Sequence, residues 1–133
     1  MKLQFGQIVG VINPPNMTNE RSFKYIFIYG SDKNYAYGAY INSRVPPEIR
    51  DLTFKIEGSD HQFLAYDSWI CVNLGIQKVE LSTIKRKNGM NDYEVFSSLS
   101  QSEMSNLLSN ITNNRSLPKS DKDLIIGYAP HFK

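Results

Sequence analysis

The sequence predicts a mainly β chain: a small barrel of coiled antiparallel strands with one C-terminal helix packed on it. Three observations carry this. Short apolar or alternating segments, bounded by Gly, Pro, Asn and Asp, fill the first two thirds of the chain. Aromatics make up 12% of the residues, with eight Tyr and seven Phe, and such side chains fit a pleated surface. The one clear helical pattern comes after the strands, whereas a doubly wound α/β fold needs helices between them. At 133 residues, with 41% hydrophobic and 21% charged, the chain suits one domain over 1–133. The barrel is expected over 3–88, the helix over 101–113 and a tail over 114–133.

Residues 3–12 read as a strand, with Phe5, Val9 and Val11 on one side and Ile8 and Ile12 on the other. Asn13-Pro14-Pro15-Asn16 breaks it, because two prolines remove consecutive donors. A loop runs on through Met17 to Arg21. Phe23 to Tyr29 is apolar on both faces, as a central strand must be. Gly30-Ser31-Asp32 turns into a strand over 35–42, where Gly38 marks a bend in the coiled sheet. Ser43 to Pro47 is a rigid exit loop. Leu52 to Ile56 alternates, so one face is buried and one is wet. Glu57 to Asp60 turns the chain. Phe63-Leu64 and Ser68 to Val72 read as further short extended segments. Over 76–87 the β-branched content favours strand, with a helical turn around Glu80 to Ile84 as the alternative.

The helix opens on a capping box, Ser100-Gln101-Ser102-Glu103. Met104, Leu107, Leu108 and Ile111 then recur at helical spacing and form one apolar stripe for the core. Pro118 sets off the tail. Its Leu124-Ile125-Ile126 is expected to add an edge strand or dock on a partner.

Composition narrows the function. The net charge is +2, too small by itself to demand a nucleic-acid partner. The basic run Lys85-Arg86-Lys87, beside Asn88-Gly89, lacks interleaved aromatics and reads as a solvated strand end. No apolar run approaches a membrane span, so no membrane is expected. Met1 to Gln4 leads into a strand pattern rather than a signal peptide, and a cytoplasmic location is expected. The lone Cys71 excludes an internal disulfide and sits in the apolar run Trp-Ile-Cys-Val, as a small buried hydrophobe would. Neither GxxxxGK nor GxGxxG occurs, so no nucleotide cradle is signalled. With two histidines, His61 and His131, and scattered carboxylates, neither a metal site nor a cofactor is expected.

What remains is polar residues at strand ends. Lys24 opens the most apolar strand on the side of Ile26 and Ile28, so its ammonium must snorkel to the barrel mouth or find a carboxylate. Asn42-Ser43-Arg44 ends another strand. Asp60-His61 and Asp67-Ser68 flank Phe63-Leu64. Each alone suits turn chemistry and strand capping; together they are the set that strand ends of a small barrel could bring to one groove.

Several segments, in order, resemble one family. They are Phe5-Gly6-Gln7-Ile8-Val9, Lys24-Tyr25-Ile26-Phe27-Ile28, Tyr40-Ile41-Asn42-Ser43-Arg44-Val45, His61-Gln62-Phe63-Leu64 with Asp67-Ser68-Trp69-Ile70, and Ser98-Leu99-Ser100 before the helix. This series resembles the MazF/PemK-like toxins of toxin–antitoxin modules, over roughly residues 4–113. The resemblance implies an SH3-like barrel and metal-independent cleavage of single-stranded RNA. It implies an acidic antitoxin that folds on binding and a two-fold homodimer as partners. Such cleavage needs a base for the ribose 2′-OH, an acid for the leaving oxygen and a cation for the developing charge.

Carried over by position, Lys24 falls where the family has a strand Arg. Asn42 falls on its Thr or Ser, with Ser43 next, and Asp67 on the Asp of a later strand. The expected catalytic set is Lys24, Ser43, His61 and Asp67, with Asn42, Arg44 and Ser68 binding substrate. Four departures matter. Lys24 forfeits the bidentate phosphate contact of Arg, Asn42 cannot titrate, Tyr25 replaces a Pro, and with Ala65-Tyr66 before Asp67 the family's basic residue there has no counterpart. His61 is either a replacement acid or base, or a surface turn residue beside Asp60. The alternative function is a catalytically silent SH3-like module that binds a peptide or RNA.

Overall fold

The computed structural model describes residues 3–12, 23–87 and 92–129. The Asn13 to Asn16 break, the loop through Arg21, the Asn88-Gly89 turn and His131 lie outside them. Among the described residues seven strands form one antiparallel sheet: β1 (Gln7–Ile12), β2 (Phe23–Ser31), β3 (Tyr35–Asn42), β4 (Phe54–Ile56), β5 (Ser68–Ile70), β6 (Gln77–Glu80) and β7 (Ser97–Ser98). Their order is β4-β5-β3-β2-β1-β7, and β6 also pairs with β3.

β3 has two partners along one edge. Tyr35 to Gly38 pair with β6, and Ile41 and Asn42 pair with β5. After β6 a 3₁₀ turn, Leu81–Thr83, brings Ile84 against Val11 of β1, and Lys85 N–H donates to the Gly10 carbonyl at 2.8 Å. The ladder thus returns from β6 to β1, which makes a small barrel. Both sequence readings of 76–87 hold in part: strand first, then a helical turn.

The period of two sends alternate residues into two cores. Val9, Val11, Ile26, Ile28, Ala36, Val79 and Ile84 pack inside the barrel. Ile8, Phe27, Tyr29, Ala39 and Ile41 pack on the other face against the helices. Phe5 belongs with Ile8, not with Val9 as the alternation suggested, because Gly6 at φ +96° reverses the chain before the strand begins at Gln7. Gly38 is required by close approach. A Cβ there would lie 2.0 Å from the Phe27 carbonyl oxygen, beside a register shift between Ile28 and Gly30.

Helix α1 (Gln101–Asn113) has both hydrogen bonds of its predicted capping box, and it buries Leu107 and Ile111 while Met104 and Leu108 lie at the rim. Three expectations need correction. Leu124-Ile125-Ile126 is no edge strand but part of a second helix, α2 (Lys119–Tyr128). The apolar triplet obscured helix-start signals around it: Pro118 before, Asp121 in the first turn and an i,i+4 pair, Lys119–Asp123, at 3.6 Å. Phe63-Leu64 is a turn, closed by Leu64 N–H to the His61 carbonyl at 3.0 Å, which folds Phe63 onto Tyr25. Leu52 ends a 3₁₀ turn, Pro47–Leu52, and the strand there starts at Phe54. No helix among the described residues is long and apolar enough to cross a membrane.

Candidate nucleic-acid interface

The registers of four strands build one row. Ile26 lies opposite Tyr40, so two residues on Lys24 comes opposite Asn42. Asn42 lies opposite Trp69, and Trp69 opposite Lys55. Directly opposed residues share a face, so Lys24, Asn42, Trp69 and Lys55 line up across β2, β3, β5 and β4. Three strand spacings make this row about 14 Å long.

The row carries a defined polar network. Lys24 Nζ donates to Asn42 Oδ1, and Asn42 Nδ2 donates to Cys71 Sγ at 3.1 Å. Lys24 thus snorkels to the mouth, and among the described residues its hydrogen-bond partner is the neutral Asn42 amide rather than a carboxylate. Its ammonium lies 5.7 Å from the Tyr40 ring centre, and the Arg50 guanidinium lies 4.7 Å over the Trp69 ring. Burial pulls the Lys24 pKa below its ordinary 10.5, against a smaller opposing effect of Cys71. Burial likewise pushes the Tyr40 phenol up. The face therefore offers three cations, two rings and an amide to whatever crosses it.

Asp67, just before β5 and two residues before Trp69, reaches Lys55 of the same row. Its Oδ1 accepts the Gly58 N–H at 2.9 Å, and Lys55 stands 3.6 Å from it and 3.7 Å from Glu57. The Gly58 hydrogen bond, with help from Lys55, holds its pKa below the ordinary value. Asp67 is a fixed carboxylate and a weak base.

Ser43 and Ser68 face the other way. They line a cleft of about 260 Å³ with Tyr25, Ile41, Phe63, Leu64, Ala65 and Tyr66, and Ser68 Oγ donates to the Tyr66 carbonyl at 3.1 Å. Ser43, just past the end of β3, lines this cleft, so it does not share the groove of Asn42. Arg44 follows, exposed, beyond the end of β3. The structure therefore brings together Lys24, Asn42 and Asp67 and separates them from Ser43 and Ser68.

His61 is neither a surface turn residue nor part of this face. It is 2% exposed, with Nδ1 2.6 Å from Ser97 Oγ and Nε2 2.9 Å from Glu103 Oε2. Burial raises the Glu103 pKa, but hydrogen bonds from the Ser100 N–H and from His61 outweigh this and leave it below 4.5. A carboxyl depressed in the folded state contributes stability above its unfolded pKa, and loses it as pH falls through the folded value. Glu103→Gln should therefore lower stability at pH 6 and flatten its decline as pH falls below about 4.5. Urea midpoints across that range check it, and an unchanged acid limb would refute the assignment.

Sequence reasoning missed Trp69, Tyr40, Arg50 and Lys55. Lys55 and Trp69 each alternate with a buried Ile, so their outward direction was legible; their pairing was not. Among the described residues no group of three or more His, Cys, Asp or Glu could hold a metal ion. No protein-family model matches this chain, and no curated protein matches it.

Proposed function

We propose that the chain is a MazF/PemK-like toxin, a cytoplasmic endoribonuclease with an SH3-like barrel, which takes single-stranded RNA across the Lys24–Asn42–Trp69–Lys55 face. The supporting observation is that row. A cation under a phosphate and a ring under a base, repeated at strand spacing, is how sheets hold unpaired nucleic acid. For strand scission the 2′-OH would attack the adjacent phosphorus while its proton passes to solvent water, and the 5′-oxygen would leave. Lys24 would steady the charge on the phosphoryl oxygens and give a proton to the leaving oxygen, and its partial burial supports that reading. An acidic antitoxin would cover the same cations, and the active species would be a homodimer. Light scattering that finds a monomer at micromolar concentration counts against the dimer.

A second reading has its own observation. Asp67 is committed to Gly58 and Lys55, and His61 to Ser97 and Glu103, so the expected acid–base partners are occupied. That favours a silent module that binds RNA without cutting it.

One assay separates the two. Unstructured RNAs are incubated with the protein with and without EDTA, and binding is followed as salt rises. With three cations on the face, the logarithm of affinity should fall against log salt with a slope of about −2. Cleavage that survives EDTA, with growth arrest on expression, supports the toxin. Binding with the expected slope and no cleavage selects the silent module. No binding at all rejects both readings.

A further inference from the structure

We propose that Ser97, His61 and Glu103 form a serine–imidazole–carboxylate relay that makes Ser97 Oγ a nucleophile toward activated carboxylic esters. The three residues come from separate segments, 36 and 42 positions apart, and meet at 2.6 and 2.9 Å. Their arrangement assigns the protons. Glu103 is held as a carboxylate by the capping box, where Oε1 takes the Ser100 N–H at 2.9 Å and Oε2 faces the imidazole. An ionised carboxylate accepts only, so Nε2 must donate to it. In the neutral ring the acceptor is then Nδ1, and the Ser97 O–H must point at it. This is the division of roles in a serine nucleophile with its base and orienting acid.

The surroundings keep that assignment. The imidazole is 2% exposed and lies against the Phe63 ring at 6.2 Å, so water does not compete for its nitrogens. Ser97 itself is not closed off: it is half-buried, with exposed Ser98 beside it. Its Oγ keeps its lone pairs for an electrophile, because its one proton is spent on Nδ1.

The reaction balances on the residues present and solvent. The Oγ–acyl bond forms while the Oγ proton moves to His61 Nδ1. The bond from the acyl carbon to the alcohol oxygen breaks, and that oxygen takes the proton from Nδ1. Water then enters by the same route and releases the acid. The relay lies apart from the RNA face, so its failure would leave the proposed function untouched.

The experiment incubates the intact protein with a fluorophosphonate, a serine-directed probe, and locates the adduct by peptide mass spectrometry. Phosphonylation of Ser97 Oγ is expected, with loss of fluoride. Ser98 and Ser100, exposed neighbours without an imidazole, should stay at least tenfold less labelled. Glu103→Gln should slow labelling at least tenfold in protein that keeps its folded circular dichroism. No adduct on the wild-type protein, or equal labelling of the three serines, overturns the proposal and leaves the cluster a packing clasp.

Discussion

Lys24→Ala should weaken single-stranded RNA binding by at least tenfold. A hydrogen bond to a charged group contributes about 1.5–3 kcal/mol, which is roughly a 10- to 150-fold change in affinity. Lys24 stands in the upper part of that range because it is partly desolvated beneath Tyr40 and beside Asn42. Trp69→Ala should act similarly, since a stacked base is worth about 1–3 kcal/mol, and Arg50 loses the ring beneath it. Fluorescence anisotropy at one fixed salt concentration gives both constants. The lowered Lys24 pKa adds a pH signature: deprotonation removes the cation, so binding should fade at a lower alkaline pH than an ordinary lysine's 10.5 would give. Lys24→Arg should move that limb upward. Unchanged affinity in both alanine variants would place RNA elsewhere on the molecule.

Gly38→Ala should cost at least about 3 kcal/mol, the upper end for overpacking. The obstacle is backbone. An added Cβ would meet the Phe27 carbonyl oxygen at 2.0 Å and the Phe27 carbonyl carbon at 3.1 Å. Neither can rotate away, since both belong to the strand paired with β3. Relief requires opening the β2–β3 ladder beside the register shift between Ile28 and Gly30. Against a typical total of about 5–15 kcal/mol, such a loss is large. Gly127→Ala is the control. A Cβ there has nothing within 4 Å, and in the last turn of α2 alanine should gain over glycine by less than the about 1 kcal/mol of a helix interior. Urea midpoints should therefore move in opposite directions. Equal midpoints for Gly38→Ala and the parent would show that the bulge yields more easily than this geometry implies.

The contrast between these glycines shows what could be read early. Both are single glycines inside regular elements, and nothing in the letters distinguishes them. Only the approach of β2 to β3 makes one indispensable. The aromatic row follows the same logic. Trp69 and Lys55 could be seen to point away from Ile70 and Ile56, yet that one faces the other depends on where two short strands were brought together. His61 is a sharper case. Beside Asp60 it looked like turn chemistry, and its burial depends on Ser97 and Glu103, which only the docking of β7 and α1 delivers.

By itself the sequence determined the elements whose signals are local. The capping box and apolar stripe of α1 specify their own hydrogen bonds and buried face within four residues. The alternation in β1, β2 and β3 specifies two cores, because successive side chains in a strand must diverge. Tertiary structure decided everything that needs two distant segments at a set register: closure of β6 onto β1 through Ile84, the Lys24–Asn42–Trp69–Lys55 row, and the seat of His61. The physical reason is range. Backbone propensity and side-chain period act over a few residues, whereas register is settled by how two cores pack at once, and that energy belongs to the whole barrel.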